Sequence, residues 1–187
     1  NSDEAETTEF GVKARGENYT ANVTYFDVDW DGIIIQVTPG CGWRYNFNGG
    51  KAETSGWEVD FTYAVNDSVS LDFAGSSMTA ETSIDITSLG ASAGDRLPNT
   101  VETQWNLGLV YDTTFMSYPT YARLDVNFYG DSFNTFAENP NSSSPEYTKL
   151  NLNVGMDINE NSKLHLSIDN LSDERTEAYI YAVDDTS

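Results

Sequence analysis

The chain has one cysteine and one histidine in 187 residues, and nine Lys and Arg against thirty Asp and Glu. Each shortage excludes something. A lone Cys41 permits no intrachain disulfide, and Pro39-Gly40-Cys41-Gly42 reads as a turn with an incidental thiol, since only one His exists to activate it. A formal charge of −21 repels a phosphate backbone, so nucleic acid is excluded as a partner of a basic face. Long apolar runs are missing too. The longest, Ile33-Ile34-Ile35, falls far short of the roughly 18 residues a membrane helix needs. The opening Asn-Ser-Asp-Glu lacks an initiator Met, a basic segment and an apolar segment, so it reads as a cut start with any signal peptide removed. What is present is 39% hydrophobic and 13% aromatic residues, enough to fill a core or coat a surface, which excludes disorder. The length suits one domain.

Helical spacing is hard to find, and alternation is everywhere. Trp57, Val59, Phe61, Tyr63 and Val65 alternate with Glu58, Asp60, Thr62 and Ala64. The same period two runs through Val69–Phe73, Trp105–Tyr111, Ala122–Phe128, Leu150–Ile158 and Leu164–Ile168, and more weakly through Phe10–Ala14 and Ala21–Tyr25. That predicts eight strands, each with one apolar and one polar face. Tight turns are expected near Gly16–Asn18, Asn66–Ser68, Ser117–Pro119 and Asn159–Ser162. Between these hairpins lie long stretches rich in Gly, Ser, Asn and Pro, at 31–55, 75–101 and 130–146. Short turns at one end and long loops at the other are the layout of a transmembrane β-barrel.

A water-soluble sandwich also alternates, so period two alone does not decide. The uniformly hydrophilic polar set, the aromatics Trp57, Trp105, Tyr63 and Tyr111 at strand ends, and the strict alternation of short and long connections favour a barrel with a wet lumen.

Other patterns have plainer readings. Asp27-x-Asp29-x-Asp31-Gly32 opens like a calcium loop, but position twelve would be Thr38 and the flanks are β-formers. Glu58 and Asp60 are two apart on a strand and share a face, which suits a solvated wall better than the opposed acids of glycoside hydrolysis. His165 lies on a polar face without a Ser or Cys motif and reads as a hydrogen-bonder. Sequons at Asn18, Asn22, Asn66, Asn141 and Asn170 read as chance in a chain rich in Asn, Ser and Thr. No catalytic residue, metal ligand or cofactor is expected, and the residues that would touch a ligand are not identifiable.

Four segments carry a family resemblance: Asn170-Leu171-Ser172-Asp173-Glu174 after the Leu164–Ile168 strand, Gly50-Lys51-Ala52-Glu53-Thr54-Ser55-Gly56-Trp57-Glu58-Val59, Arg96-Leu97-Pro98-Asn99, and Tyr25-Phe26-Asp27-Val28-Asp29-Trp30-Asp31-Gly32-Ile33. Their order resembles the C-terminal part of the barrel of TonB-dependent outer-membrane receptors. The resemblance implies an all-β, antiparallel transmembrane-type β-barrel, with about eight strands of a larger barrel present over 1–187 and the plug domain and final strand absent. It implies a transporter rather than an enzyme, taking up a scarce nutrient such as an iron–siderophore complex. Its partners would be outer-membrane lipid, that small-molecule ligand, and the TonB complex acting through the missing plug. The alternatives are a secreted β-sandwich binding glycan or calcium, and a self-contained eight-stranded structural barrel.

Three structural expectations follow. Trp57, Val59, Phe61, Tyr63, Leu150, Leu152, Val154 and Met156 should share one face of a sheet, with Glu58, Asp60, Asn151 and Asn153 on the other. Apolar parity shifts from Ala21-Val23-Tyr25 to Phe26-Val28-Trp30, and breaks again at Asn170, so β-bulges are expected near Tyr25–Phe26 and Asp169–Leu171. Two unpaired edges should also leave the chain unable to transport anything alone.

Overall fold

A computed structural model describes residues 2–37, 45–136, 138 and 143–176. Cys41 and Asn141 lie outside the described residues, as do parts of the 31–55 and 130–146 stretches. The strands are β1 (Glu4–Arg15), β2 (Tyr19–Val37), β3 (Tyr45–Asn66), β4 (Val69–Thr82), β5 (Thr103–Phe115), β6 (Tyr118–Tyr129), β7 (Ser132–Phe133), β8 (Ser143–Ser144), β9 (Tyr147–Asn159) and β10 (Ser162–Ile168). Eight of them form one antiparallel sheet in the order β1-β2-β3-β4-β5-β6-β9-β10, while β7 and β8 pair separately inside the β6–β9 connection. The sheet is open, with β1 and β10 at its edges.

The register holds the faces in phase across all eight strands. Val59 pairs with Val23 and Gly75, Gly75 with Trp105, and Trp105 with Phe128. Four residues further along β5, Leu109 pairs with Leu71 and Leu124, and Leu124 with Leu152. Directly opposed residues share a face. Trp57 through Tyr63 and Leu150 through Met156 therefore stand on one side, hereafter the belt face. Glu58, Asp60, Asn151 and Asn153 stand on the other, the wall face. This is as the alternation requires.

Among the described residues, no second layer covers the belt face. Phe10 is 71% exposed, and Val12, Leu164 and Leu166 are all more than half exposed. A sandwich would cover this face with another sheet. The buried hydrophobics (Ala52, Ala80, Ile86 and Ala91) instead collect at the loop end.

The tight turns form where their chemistry allows. Asn66 and Asn159 each accept a hydrogen bond from the backbone N–H two residues on, and Met116 and Ser117 both take positive φ, as a two-residue hairpin turn requires. The long connections are shorter than expected, because β2, β3 and β4 continue into them. Residues 31–37, 45–55 and 75–82 are strand. Their Gly, Ser and Asn content looks like loop, yet the ladder Asp27–Ser55, Asp29–Glu53, Asp31–Lys51 runs straight through.

That continuity overturns the bulge expected at Tyr25–Phe26. Pairing is regular there on both sides: Phe10–Tyr25 and Glu9–Phe26 with β1, Tyr25–Trp57 and Phe26–Gly56 with β3. No residue is inserted. The belt face instead turns charged (Asp27, Asp29, Asp31) while the wall face turns apolar (Phe26, Val28, Trp30). The observed irregularity lies further on, where Gly32 at φ 71 is skipped in the register and Asn48 Nδ2 donates to its carbonyl at 2.8 Å. At the second expected site, pairing stops at Ile168–Leu152 and the Leu171 N–H reaches the Leu150 carbonyl. One residue is extra, and it is absorbed by a turn at Asn170 (φ 54) rather than by a bulge between paired strands.

Candidate functional site

The wall face is the polar side of the sheet, and its side chains are tied to one another. Gly108 on β5 pairs directly with Asp72 on one side and Asp125 on the other. Having no side chain, it leaves a gap that the Arg123 guanidinium fills. Arg123 Nη1 meets Asp72 Oδ2 at 2.8 Å, and its Nε and Nη2 meet Asp125 at 3.0 and 2.8 Å. One cation thus spans β4 to β6 across the intervening strand with charge-assisted bonds. Asn106 Nδ2 donates to Asn127 Oδ1 at 2.9 Å, and the Tyr129 and Tyr147 rings stack 4.9 Å apart. A groove of about 350 Å³ runs beside Glu58, Asp60, Gln104, Asn106, Asn127 and Tyr129. The sequence offered no way to find the Arg123 bridge, because it needs the register that sets Gly108 between two aspartates.

Glu58 and Asp60 share the wall face, opposite Ser76 and Ala74. His165 is on the same face opposite Gly155, against which the Tyr121 ring lies. Asp27, Asp29 and Asp31 stand on a strand rather than in a loop, and Asp31 is held by Lys51 Nζ at 2.7 Å. Among the described residues, no group of three or more His, Cys, Asp or Glu is arranged to hold a metal ion.

At the loop end, connections from different parts of the chain are locked together. The Arg96 side chain is only 10% exposed. Its Nη2 donates to the carbonyls of Thr100 at 2.9 Å and Asp131 at 2.7 Å, and Nη1 to Asp131 Oδ2 at 3.2 Å. The guanidinium also sits 5.6 Å over the Phe133 ring, with Glu102 at 3.6 Å from Nε. Asn99, at φ 60, donates its N–H to the Phe133 carbonyl at 2.6 Å. Ile86 and Ala91 form a small apolar nucleus that also takes in Ile33 and Phe136. The upper end of β2 and the β4–β5 and β6–β9 connections thus meet in one packed unit.

The four quoted segments now have physical reasons. Arg96 to Asn99 makes the staple between two loops. Gly56 faces β4 so closely that an added Cβ would stand 2.5 Å from the Ser77 carbonyl oxygen and 2.8 Å from Met78 Cα. Asn170 ends β10 by accepting the Glu174 N–H at 3.0 Å while its own N–H donates to Asn151 Oδ1 at 2.9 Å. Tyr25 to Ile33 carries the inversion of polarity and the Gly32 irregularity.

Residues 2–171 match the family model described as "TonB dependent receptor-like, beta-barrel". The chain belongs to this family. Its fold is that of solved receptors. The ferric yersiniabactin uptake receptor FyuA from Yersinia pestis is similar over 98% of this chain at a TM-score of 0.81 and 18% identity. BauA, the ferric preacinetobactin receptor from Acinetobacter baumannii, is similar over 92% at 0.75 and 15%, and the copper transporter OprC over 92% at 0.72 and 16%. The chain spans only 27%, 26% and 25% of those three proteins, so it is a segment of such a barrel. No significant match was found among curated protein sequences. TonB-dependent receptors are transport receptors of the bacterial outer membrane and not enzymes. The outer membrane is therefore where this segment resides.

Proposed function

We propose that residues 1–187 are the C-terminal portion of the barrel of an outer-membrane receptor that takes up a scarce nutrient, an iron–siderophore complex being the leading case. The plug domain and final strand would be supplied by the rest of the molecule, and the energy by TonB acting on the plug. The observation that carries this reading is the family match over 2–171, joined to an open sheet whose two edges demand further strands. Three residue-level features support it. The wall face is wet and hydrogen-bonded, as a solute path must be. The belt face is bare and apolar, as lipid requires. The loop unit around Arg96 and Ile86 offers a preformed rim on which a ligand can be captured.

In this reading a ligand binds at the rim, and a shift of the plug opens a path along the wall past Asn106, Asn127 and Arg123. The segment alone conducts nothing, because an open sheet leaves unpaired backbone groups that each cost several kcal/mol in lipid. The test is uptake of labelled ferric siderophores, with a copper complex as a second probe, by cells producing the full-length protein, with and without a functional TonB. Uptake of a ferric siderophore that vanishes without TonB is expected. Unchanged uptake in TonB-deficient cells overturns the energy source, and uptake of copper alone overturns the substrate class.

A further inference from the structure

The change of polarity along β1 to β4 locates the membrane. On the belt face, Phe10, Tyr25 and Trp57 form one directly paired row that is aromatic throughout, and Tyr25 and Trp57 have ring centroids 5.2 Å apart. The next row on the same face is Thr8, Asp27, Ser55 and Thr79. The row after it is Glu6, Asp29, Glu53 and Glu81: four carboxylates directly opposed across four strands. Like charges so placed repel each other and are tolerable only in a strongly screening medium. On the wall face the opposite happens, with Thr24, Glu58 and Ser76 giving way to Phe26, Gly56 and Met78. Both faces switch within one step of a regular ladder. A backbone fault would displace the two faces together with the register, whereas a change in the outside medium leaves the register intact, as observed.

We infer that the outer-leaflet boundary of the bilayer crosses β1, β2 and β3 between the Phe10–Tyr25–Trp57 row and the Thr8–Asp27–Ser55 row. The partner of the belt face below this line is the acyl layer, and the sheet above it stands in water. The apolar Phe26, Val28 and Trp30 then face away from lipid.

The rest of the belt fits this line. Along the regular ladder below Gly32, its uppermost large apolar residues are Phe10, Tyr25, Trp57, Phe73, Trp105, Phe128, Leu150 and Ile168 in sheet order. They step down through the register. Ile168 belongs to the row of Leu152, Leu124, Leu109, Leu71, Tyr63 and Tyr19, six residues below Tyr25 on β2. Six residues at about 3.4 Å make about 20 Å, against about 34 Å for seven steps between neighbouring strands, a slope of about 30°. The lower edge, read from Tyr19 on β2 to Ile158 on β9, slopes in the same sense by about 40°. Strands of outer-membrane barrels tilt by about 35–45° to the membrane normal, so a belt of constant height must cut across the rows at about this angle.

The test uses the full-length receptor in outer-membrane vesicles, with Cys41→Ser and any cysteine in the rest of the molecule likewise replaced by Ser. Nitroxide labels are placed at Val23→Cys, Val59→Cys, Phe26→Cys, Val28→Cys, Asp27→Cys and Asp29→Cys. Oxygen, which concentrates in lipid, should relax the labels at 23 and 59, and a water-soluble nickel chelate should relax those at 27 and 29. Positions 26 and 28 should lose the lipid oxygen signal. A lipid signature at 26 and 28, or one that continues through 27 and 29, overturns the inference. Should a labelled variant fail to insert, single-tryptophan variants keeping Trp57 or Trp30 serve instead. Lipids brominated along the acyl chain should quench Trp57 and spare Trp30, and equal quenching of both overturns it.

Discussion

Two stretches of β2 obey the same period and present opposite faces. From Ala21 to Tyr25 the apolar side chains stand on the belt face with Val59 and Trp57. From Phe26 to Trp30 they stand on the wall face with Gly56 and Ala52. The ladder between them is unbroken, so alternation reports which side is dry and does not report that the chain has slipped. In the lower stretch the dry side is lipid. In the upper stretch it is the wall side of the rim, where Ala52 and Ala80 are almost fully buried and Phe26 and Val28 half-buried, while Trp30 at its end is exposed and donates its Nε1–H to Asp3.

The harshest way to break this comparison is to exchange the media. Leu109→Arg puts a guanidinium on the belt face, where such charges cost about 2–4 kcal/mol near the bilayer midplane. Ser76→Arg puts the same group on the wall face opposite Glu58 and should stay within about 0.5 kcal/mol. Urea titration of the full-length protein in vesicles reads both. Equal losses would mean that Leu109 does not meet lipid.

The lower stretch was far more legible in the sequence than the upper one. Apolar-out, polar-in alternation with Asn and Gly turns is a local pattern, so Trp57–Val65 or Leu150–Ile158 reveals its strand and its face without help. Above the boundary the outer face is charged and the inner face sets Phe26, Val28 and Trp30 beside small Gly56 and Ala52, and Gly50 and Ser55 look like loop although they lie in β3. Parity could be counted at Phe26, but lipid and a packed rim dry a strand equally well, so the count could not say which side had changed. The Arg96 staple and the Ile86 nucleus were hidden for another reason. They join residues from separate connections, and no local pattern announces such a meeting.

Next in size is the staple. Arg96→Met removes donors from the carbonyls of Thr100 and Asp131, and hydrogen bonds to a charged group contribute about 1.5–3 kcal/mol each. Hydrogen exchange should quicken together in 94–102 and 130–136 while β5 and β6 keep their protection. Opening of only one of the two loops would show that they are not held as a unit.

Gly56→Ala sharpens the comparison at its seam, the first wall-face position above the boundary. The new Cβ meets the β4 backbone at Ser77 and Met78, which cannot rotate aside, so overpacking should cost about 1–3 kcal/mol. For Gly155→Ala the atoms nearest the new Cβ belong to the ring of Tyr121, which can turn away. Its loss in the same urea titration should be the smaller of the two. The reverse order would place the tight contact between strands elsewhere.

The smallest effect belongs to the ion pair above the boundary. Asp31 is held below the usual aspartate range, first by the hydrogen bond from Lys51; desolvation opposes this, and the charge of Lys51 and the Gly32 N–H add smaller effects in the same downward direction. Lys51 is raised in turn, chiefly by Asp31. A carboxylate depressed in the folded state adds stability above its unfolded pKa, which is lost as pH falls through the folded value. A raised lysine adds stability below its unfolded pKa, which is lost as pH climbs through the folded value. The pair therefore acts across neutral pH and is ended by acid or by strong base. Both side chains are more than half exposed, so salt screens them and the contribution to stability is slight. Lys51→Gln should leave the urea midpoint unchanged while moving the Asp31 titration upward, as read from its carboxyl carbon by NMR. High salt should shrink that displacement in the parent protein. An Asp31 midpoint indifferent to both the substitution and salt would mean that Lys51 does not reach it. A charge pair of so little consequence here, against the penalty for one arginine on the belt below, is the contrast expected of a strand that leaves the membrane between Tyr25 and Asp27.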